Sequence, residues 1–114
     1  MTKIKAEYSY EELVKITKVY PESAKFYYAA LGLASESGEV AGKFKKYFRG
    51  DYESINDIKE KVIDELGDVL WYVTALAIEL DTTLDDIKSK NQEKLLKRMK
   101  SDVIKGEGDN RWIQ

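Results

Sequence analysis

VIDELGDVLWYVTALAIEL, residues 62–80, is the stretch whose reading decides the fold. Val62, Leu66, Val69, Val73, Leu76 and Leu80 recur at spacings of three and four, the period of a helix with one dry face. Upstream, Ser54 and Asp57 have the spacing of a capping box and predict where this helix opens. Downstream, Asp81-Thr82-Thr83 breaks the pattern, and Thr83 with Asp86 predicts the start of another helix running to about Lys100. Before it, Phe26, Ala29, Leu33, Val40, Phe44 and Tyr47 repeat the same spacing. They predict a helix from near Glu22 to about Phe48, closed by Arg49-Gly50-Asp51. A first helix from roughly Ser9 to Val19 stops at Tyr20-Pro21, because proline bars the residue before it from helical geometry. The remainder, SDVIKGEGDNRWIQ, carries Gly106 and Gly108 and reads as irregular. Four helices without a credible strand predict an all-α, four-helix bundle-type protomer.

Composition narrows the chemistry. The chain has 114 residues, which predicts a single domain over 1–114, and its one proline suits long helices. Charged residues make up 35% and apolar residues 43%, the balance of helices with a wet and a dry face. A domain this small has little room for a deep private cleft, so association into a homo-oligomer, dimer or tetramer, is expected. The net charge of −2 supplies no basic field for nucleic acid, despite the lysine-rich stretch from Lys88 to Lys100. Cysteine and histidine are both absent. That excludes disulfides, thiolate or imidazole zinc sites, a Ser-His-Asp relay and the Glu-x-x-His motif of di-iron bundles. The N-terminal MTKIKAEYSYEEL lacks the apolar run of a signal peptide, and no stretch is long enough to span a bilayer. A cytoplasmic protein with no membrane partner is expected.

Two segments carry the candidate chemistry: Glu36-Ser-Gly-Glu39 on the second helix and Glu65-Leu-Gly-Asp68 on the third. In each, acids at i and i+3 share a helix face, about 5–6 Å apart at Cβ. At about 100° per residue both pairs lie at the edge of the apolar stripe of their own helix, on the same side. Packing the stripes together would let the pairs converge. Gly38 and Gly67 fall inside the pairs, where each costs its helix about 1 kcal/mol relative to alanine. They either let a helix or ligand approach the backbone beside the acids or simply permit close helix packing. Like charges at ~5 Å and an effective dielectric of 20 repel by roughly 3 kcal/mol per pair. A divalent cation would reverse that sign, and oxygen-only ligands select magnesium first and manganese second. Each pair is equally open to reading as a solvated face, with Glu39 bonded to Lys43 and Glu65 to Lys61.

With those residues in view, the chain resembles the MazG-like nucleotide pyrophosphohydrolases, an all-α family. The matching stretches are YYAALGLASESGEVAGKFKKYFRGD, DELGDVLWYVTALAIEL, NQEKLLKRMK and IKGEGDNR, together covering most of Tyr27 to Arg111. The amino-terminal helix matches only at Tyr10 and Thr17. The resemblance implies that residues 22–100 hold the catalytic helices, flanked by an N-terminal helical region (1–21) and a polar tail (101–114). It implies that Glu36, Glu39, Glu65 and Asp68 are the magnesium ligands. Asn91 would then lie near the sugar or metal waters and Lys94 on a phosphate, with Lys46 and Arg98 as further phosphate candidates. Arg111 would be a tail residue that closes over the site or touches a neighbouring subunit. Tyr72, on the same angular face as Glu65 and Asp68, is the aromatic favoured for substrate contact.

The activity implied is hydrolysis of a ribo- or deoxyribonucleoside triphosphate between the α and β phosphates, giving a monophosphate and pyrophosphate. Glu36 or Glu39 would take the proton from the attacking water. Three other readings compete. One is a non-catalytic helical interaction module using the lysine-rich helix. Another is a specialised dUTP, dCTP or phosphoribosyl-ATP pyrophosphohydrolase on the same fold. The last, a carboxylate di-metal oxidase, is disfavoured by the missing histidine.

Overall fold

The computed structural model describes residues 7–101. It is all-helical, with no strand among the described residues: α1 Tyr10–Thr17, a 3-10 turn Glu22–Ala24, α2 Lys25–Phe48, α3 Ile55–Glu79 and α4 Leu84–Lys100. No described helix is long and apolar enough to cross a membrane. The chain divides into two compact units, Met1–Asp81 and Thr82–Gln114.

Local signals set the helix ends. In α1 the Ser9 N–H donates to Glu12 Oε1 at 2.7 Å and the Glu12 N–H donates to Ser9 Oγ at 3.0 Å, a reciprocal cap that satisfies two orphan donors. The Ser54 N–H donates to Asp57 Oδ2 at 3.0 Å ahead of α3. The Asp86 N–H donates to Thr83 Oγ1 at 3.0 Å ahead of α4. The α2–α3 turn reverses the chain at Gly50, whose φ of +96° is open to glycine at little cost. Arg49 clasps Asp51 there at 2.8 Å. The second helix begins three residues later than its sequence predicts, because Glu22–Ala24 after Pro21 tightens into the 3-10 turn.

In the first unit α2 and α3 form an antiparallel pair, and α1 lies against α3. The antiparallel register shows in the partners that meet: Lys43 faces Glu65, Glu36 faces Asp68, and Gly32 faces Tyr72. Three side-chain bonds tie α1 and its exit loop to α3. Trp71 Nε1 donates to Thr17 Oγ1 at 2.9 Å, Lys18 pairs with Glu79 at 2.8 Å, and the Tyr20 hydroxyl donates to the same Glu79 carboxylate. Tyr20 in turn stacks on Tyr28 of α2, ring centroids 5.2 Å apart.

Burial differs from the sequence expectation. The fully buried side chains of this unit are Val14, Ala29, Ile58, Thr74, Ala75 and Ala77. Of the stripe read on α2 only Ala29 is buried, while Phe26 and Phe44 remain 44% and 42% exposed. On α3, Leu66 and Leu80 are half exposed or more. Helical period identifies residues that share a face. It does not say how much of that face one protomer covers.

Candidate active site

The acids of α2 and α3 meet across the helix pair. Glu36, Glu65 and Asp68 each offer a carboxylate oxygen within 4.8 Å of the other two. Glu65 and Asp68 share one α3 face because they are three residues apart, and the antiparallel register lays Glu36 opposite them. Glu36 and Glu65 are half-buried and Asp68 is exposed. Glu39, one turn beyond Glu36, is exposed and stands outside this trio. Its charge is nonetheless felt by Glu36.

Electrostatics follow from that crowding. Partial burial first, then the charges of Asp68, Glu65 and Glu39, push the Glu36 carboxyl above its ordinary value. Lys43 Nζ approaches Glu65 Oε2 at 4.0 Å, so this lysine reaches across to α3. The alternative in which Lys61 neutralises Glu65 from its own helix is therefore replaced by a cross-helix pair. Tyr10, at the start of α1, has its phenol raised by burial and by the charge of Asp68, which sets α1 beside the acids.

Beside the trio lies an open cleft of about 290 Å³ lined by Glu36, Asp68, Trp71 and Tyr72. The two aromatic rings meet edge to face at 5.0 Å between centroids. The Tyr72 phenol is raised by burial and by Tyr28, Glu36 and Asp68, so its ring and the acids share one environment. Such a cleft offers anionic oxygens at one end and an aromatic wall at the other.

The remaining sequence candidates are placed as follows. Lys46 is exposed near the end of α2, close enough to Asp51 to lower its carboxyl further, after Arg49. Asn91, Lys94 and Arg98 belong to α4, in the second unit. Asn91 is exposed, Lys94 half-buried and Arg98 buried. Arg111 lies outside the described residues.

Sequence reasoning missed three features of the site. The first is Lys43, visible only as a helix neighbour of Glu39. The second is Gly32, which lies outside both acid pairs; at Gly38 and Gly67, inside them, an added Cβ would meet nothing within 4 Å. The close packing considered for those two glycines is therefore absent in this structure. The third is α1, whose Tyr10 and Thr17 are seven residues apart and thus share a face, a legible signal that they approach one partner.

Comparison with known proteins agrees with the geometry. Residues 27–103 match the MazG nucleotide pyrophosphohydrolase domain. The chain is 42% identical to the Gene 37 protein of Mycobacterium phage L5 over 85 residues, covering 74% of this chain and 75% of that protein. No solved structure matches.

Proposed function

Because the chain belongs to the MazG nucleotide pyrophosphohydrolase family, we propose that it is a magnesium-dependent hydrolase of nucleoside triphosphates, cutting between the α and β phosphates. The observation that carries this reading is the convergence of Glu36, Glu65 and Asp68 from two helices within 4.8 Å. Three carboxylates so close outnumber the one ammonium beside them, that of Lys43, and an all-oxygen donor set fits a hard divalent ion. Magnesium is the first choice and manganese a substitute. Bound there, the ion would offset the acids' repulsion, draw charge from phosphate oxygens and make a water more acidic.

The chain's own residues then supply position and proton transfer. Glu36, Glu65 and Asp68 hold the site. Glu39, beside Glu36 yet outside the trio, has its carboxylate left to accept a proton from the attacking water. The oxygen of that water bonds to the α phosphorus, the bond from phosphorus to the α–β bridging oxygen breaks, and pyrophosphate leaves. Tyr72 and Trp71 wall the cleft next to the acids, where the nucleoside end of the substrate would lie. On the family resemblance Lys94 is assigned to a phosphate and Asn91 to the sugar or metal waters, with Lys46 and Arg98 as further phosphate candidates and Arg111 as a tail residue that closes over the site or touches a neighbouring subunit.

A homo-oligomer belongs to the same proposal. Tyr27 and Leu31 on α2 are 76% and 70% exposed, and Ile63, Leu66 and Leu70 form a half-exposed apolar row on α3. Apolar surface of this kind favours a second copy of the chain packing helix against helix. Light scattering at micromolar concentration checks it, and a monomer there would refute it.

The deciding experiment is incubation with magnesium and a panel of ribo- and deoxyribonucleoside triphosphates, with products resolved by chromatography. Monophosphate formed without diphosphate is the expected result. The ranking of the panel separates a general enzyme from a dUTP, dCTP or phosphoribosyl-ATP specialist. No turnover with either magnesium or manganese would leave a helical interaction module in its place.

A further inference from the structure

Gly32 and Tyr72 approach more closely than any side chain at position 32 allows. A Cβ on Gly32 would stand 2.1 Å from Tyr72 Cε1, 2.4 Å from Cζ and 2.5 Å from Cδ1, where ordinary contact is 3.4–4 Å. The ring edge therefore rests on bare α2 backbone. Gly38, Gly42 and Gly67 do not share this constraint, since a Cβ at any of them meets nothing within 4 Å. Glycine in a helix interior is otherwise unfavourable relative to alanine, so position 32 gives up helix stability for this contact.

The contact sits at the site. Gly32 precedes Glu36 by one helical turn, and Tyr72 follows Asp68 by one turn, about 6 Å along α3. Tyr72 lines the cleft together with Glu36, Asp68 and Trp71. Trp71 packs edge-on against the Tyr72 ring, which limits where a displaced ring can go. A side chain at position 32 would force the Tyr72 ring off its seat on α2, and the ring lines the cleft.

We propose that Gly32 is a positioning residue for substrate: it seats the edge of the Tyr72 ring against α2, holding the cleft beside Glu36 and Asp68 open with the ring as its wall for the nucleoside. This rests on the nucleotide-hydrolase reading above. The acids take the polyphosphate end, and an aromatic wall one turn away suits the flatter, less polar end of the same molecule.

Three variants of the full-length protein test it: Gly32→Ala, Tyr72→Ala and the two combined. Gly32→Ala alone is expected to lower Tm, raise KM at least tenfold, change kcat less than threefold and leave magnesium binding by calorimetry within twofold. In the Tyr72→Ala background the same change is expected to raise Tm, because the helix gains alanine without a clash. There it should leave the affinity for a non-hydrolysable α,β-imido triphosphate within twofold of Tyr72→Ala alone. Equal loss of affinity in both backgrounds, or wild-type affinity in Gly32→Ala, would overturn the proposal while leaving the hydrolase reading intact. A wild-type chain that binds no nucleotide would end both, and the opposite Tm shifts would then report packing alone. Should Gly32→Ala not fold, the ring is followed directly in wild type. The Tyr72 resonances, assigned by their loss in Tyr72→Ala, should move when the imido nucleotide is added to the magnesium-loaded protein. Unmoved resonances at saturation overturn the assignment.

Discussion

Lys43 Nζ on α2 lies 4.0 Å from Glu65 Oε2 on α3, which sets an ammonium beside three carboxylates that converge within 4.8 Å. Both side chains are mostly covered, 22% and 16% exposed, so the pair is less screened than a surface bridge. Removing the lysine leaves the acids to repel one another until a divalent ion arrives. Lys43→Met is expected to cost about 0.5 kcal/mol in chelator, or about 2–4 °C in Tm. It should also gain more Tm from added magnesium than wild type does. Calorimetry in chelator and in magnesium measures both, and an equal gain in the two proteins would rule out Lys43 as the acids' counter-ion.

Glu39 stands next to the trio without joining it, and its proposed role as the general base is open to a direct test. Glu39→Gln keeps the shape and hydrogen-bonding reach of the side chain and removes its capacity as a base. A turnover loss of about 10²- to 10⁴-fold is expected, the usual contribution of a general base. Because Glu39 is exposed, far-ultraviolet circular dichroism and Tm should match wild type. Undiminished turnover in the Gln variant would remove the assignment.

Much of this is legible in the sequence, and the remainder is not for physical reasons. Helix ends could be read because caps are local: Ser9, Ser54 and Thr83 act on residues three positions away. The acid pairs could be read because i and i+3 fix a face, and two such faces on adjacent helices have few ways to meet. Within α2 the sequence offers Lys43 a partner in Glu39 at i+4. The bond to Glu65 depends on the α2–α3 register, which only the packed pair reveals. Gly32 was invisible for the same reason: its constraint comes from a ring 40 positions away. The bonds from α1 and its exit loop to α3 are not legible in the sequence, because they join residues 54 to 61 positions apart.

Metal dependence separates the proposed chemistry from a passive acidic patch. Activity should vanish with a chelator, return with magnesium and fail to return with calcium, whose longer bonds and looser geometry suit the site poorly. Binding to the folded state alone raises stability by about 2.7 kcal/mol at a hundred times the dissociation constant. A magnesium-dependent rise in Tm is therefore expected in wild type and should be lost in Glu36→Gln and in Asp68→Asn. Full activity in calcium, or a Tm rise that survives both substitutions, would contradict the site.

Glu79 contributes to the acid limb of stability. Its carboxylate, only 5% exposed, accepts from Lys18 and from the Tyr20 hydroxyl, and those two bonds hold its pKa below the ordinary 4.5. Between the folded and unfolded values the unfolded chain binds more protons, so this group's stabilisation is complete above about 4.5 and fades as pH falls through the folded value. Tyr20, whose phenol is pushed upward by burial and then by Glu79, stays protonated and keeps donating across that window. Tyr20→Phe deletes a hydrogen bond to a charged group and is expected to cost about 1.5 kcal/mol at pH 7. Its cost should shrink toward zero as pH falls below the folded Glu79 value, since the protonated carboxyl no longer rewards the donor. Denaturant melts of wild type and Tyr20→Phe from pH 7 to pH 3 measure the difference. A cost independent of pH would show that the hydroxyl does not act through the charge of Glu79, since phenylalanine keeps the ring stacked on Tyr28.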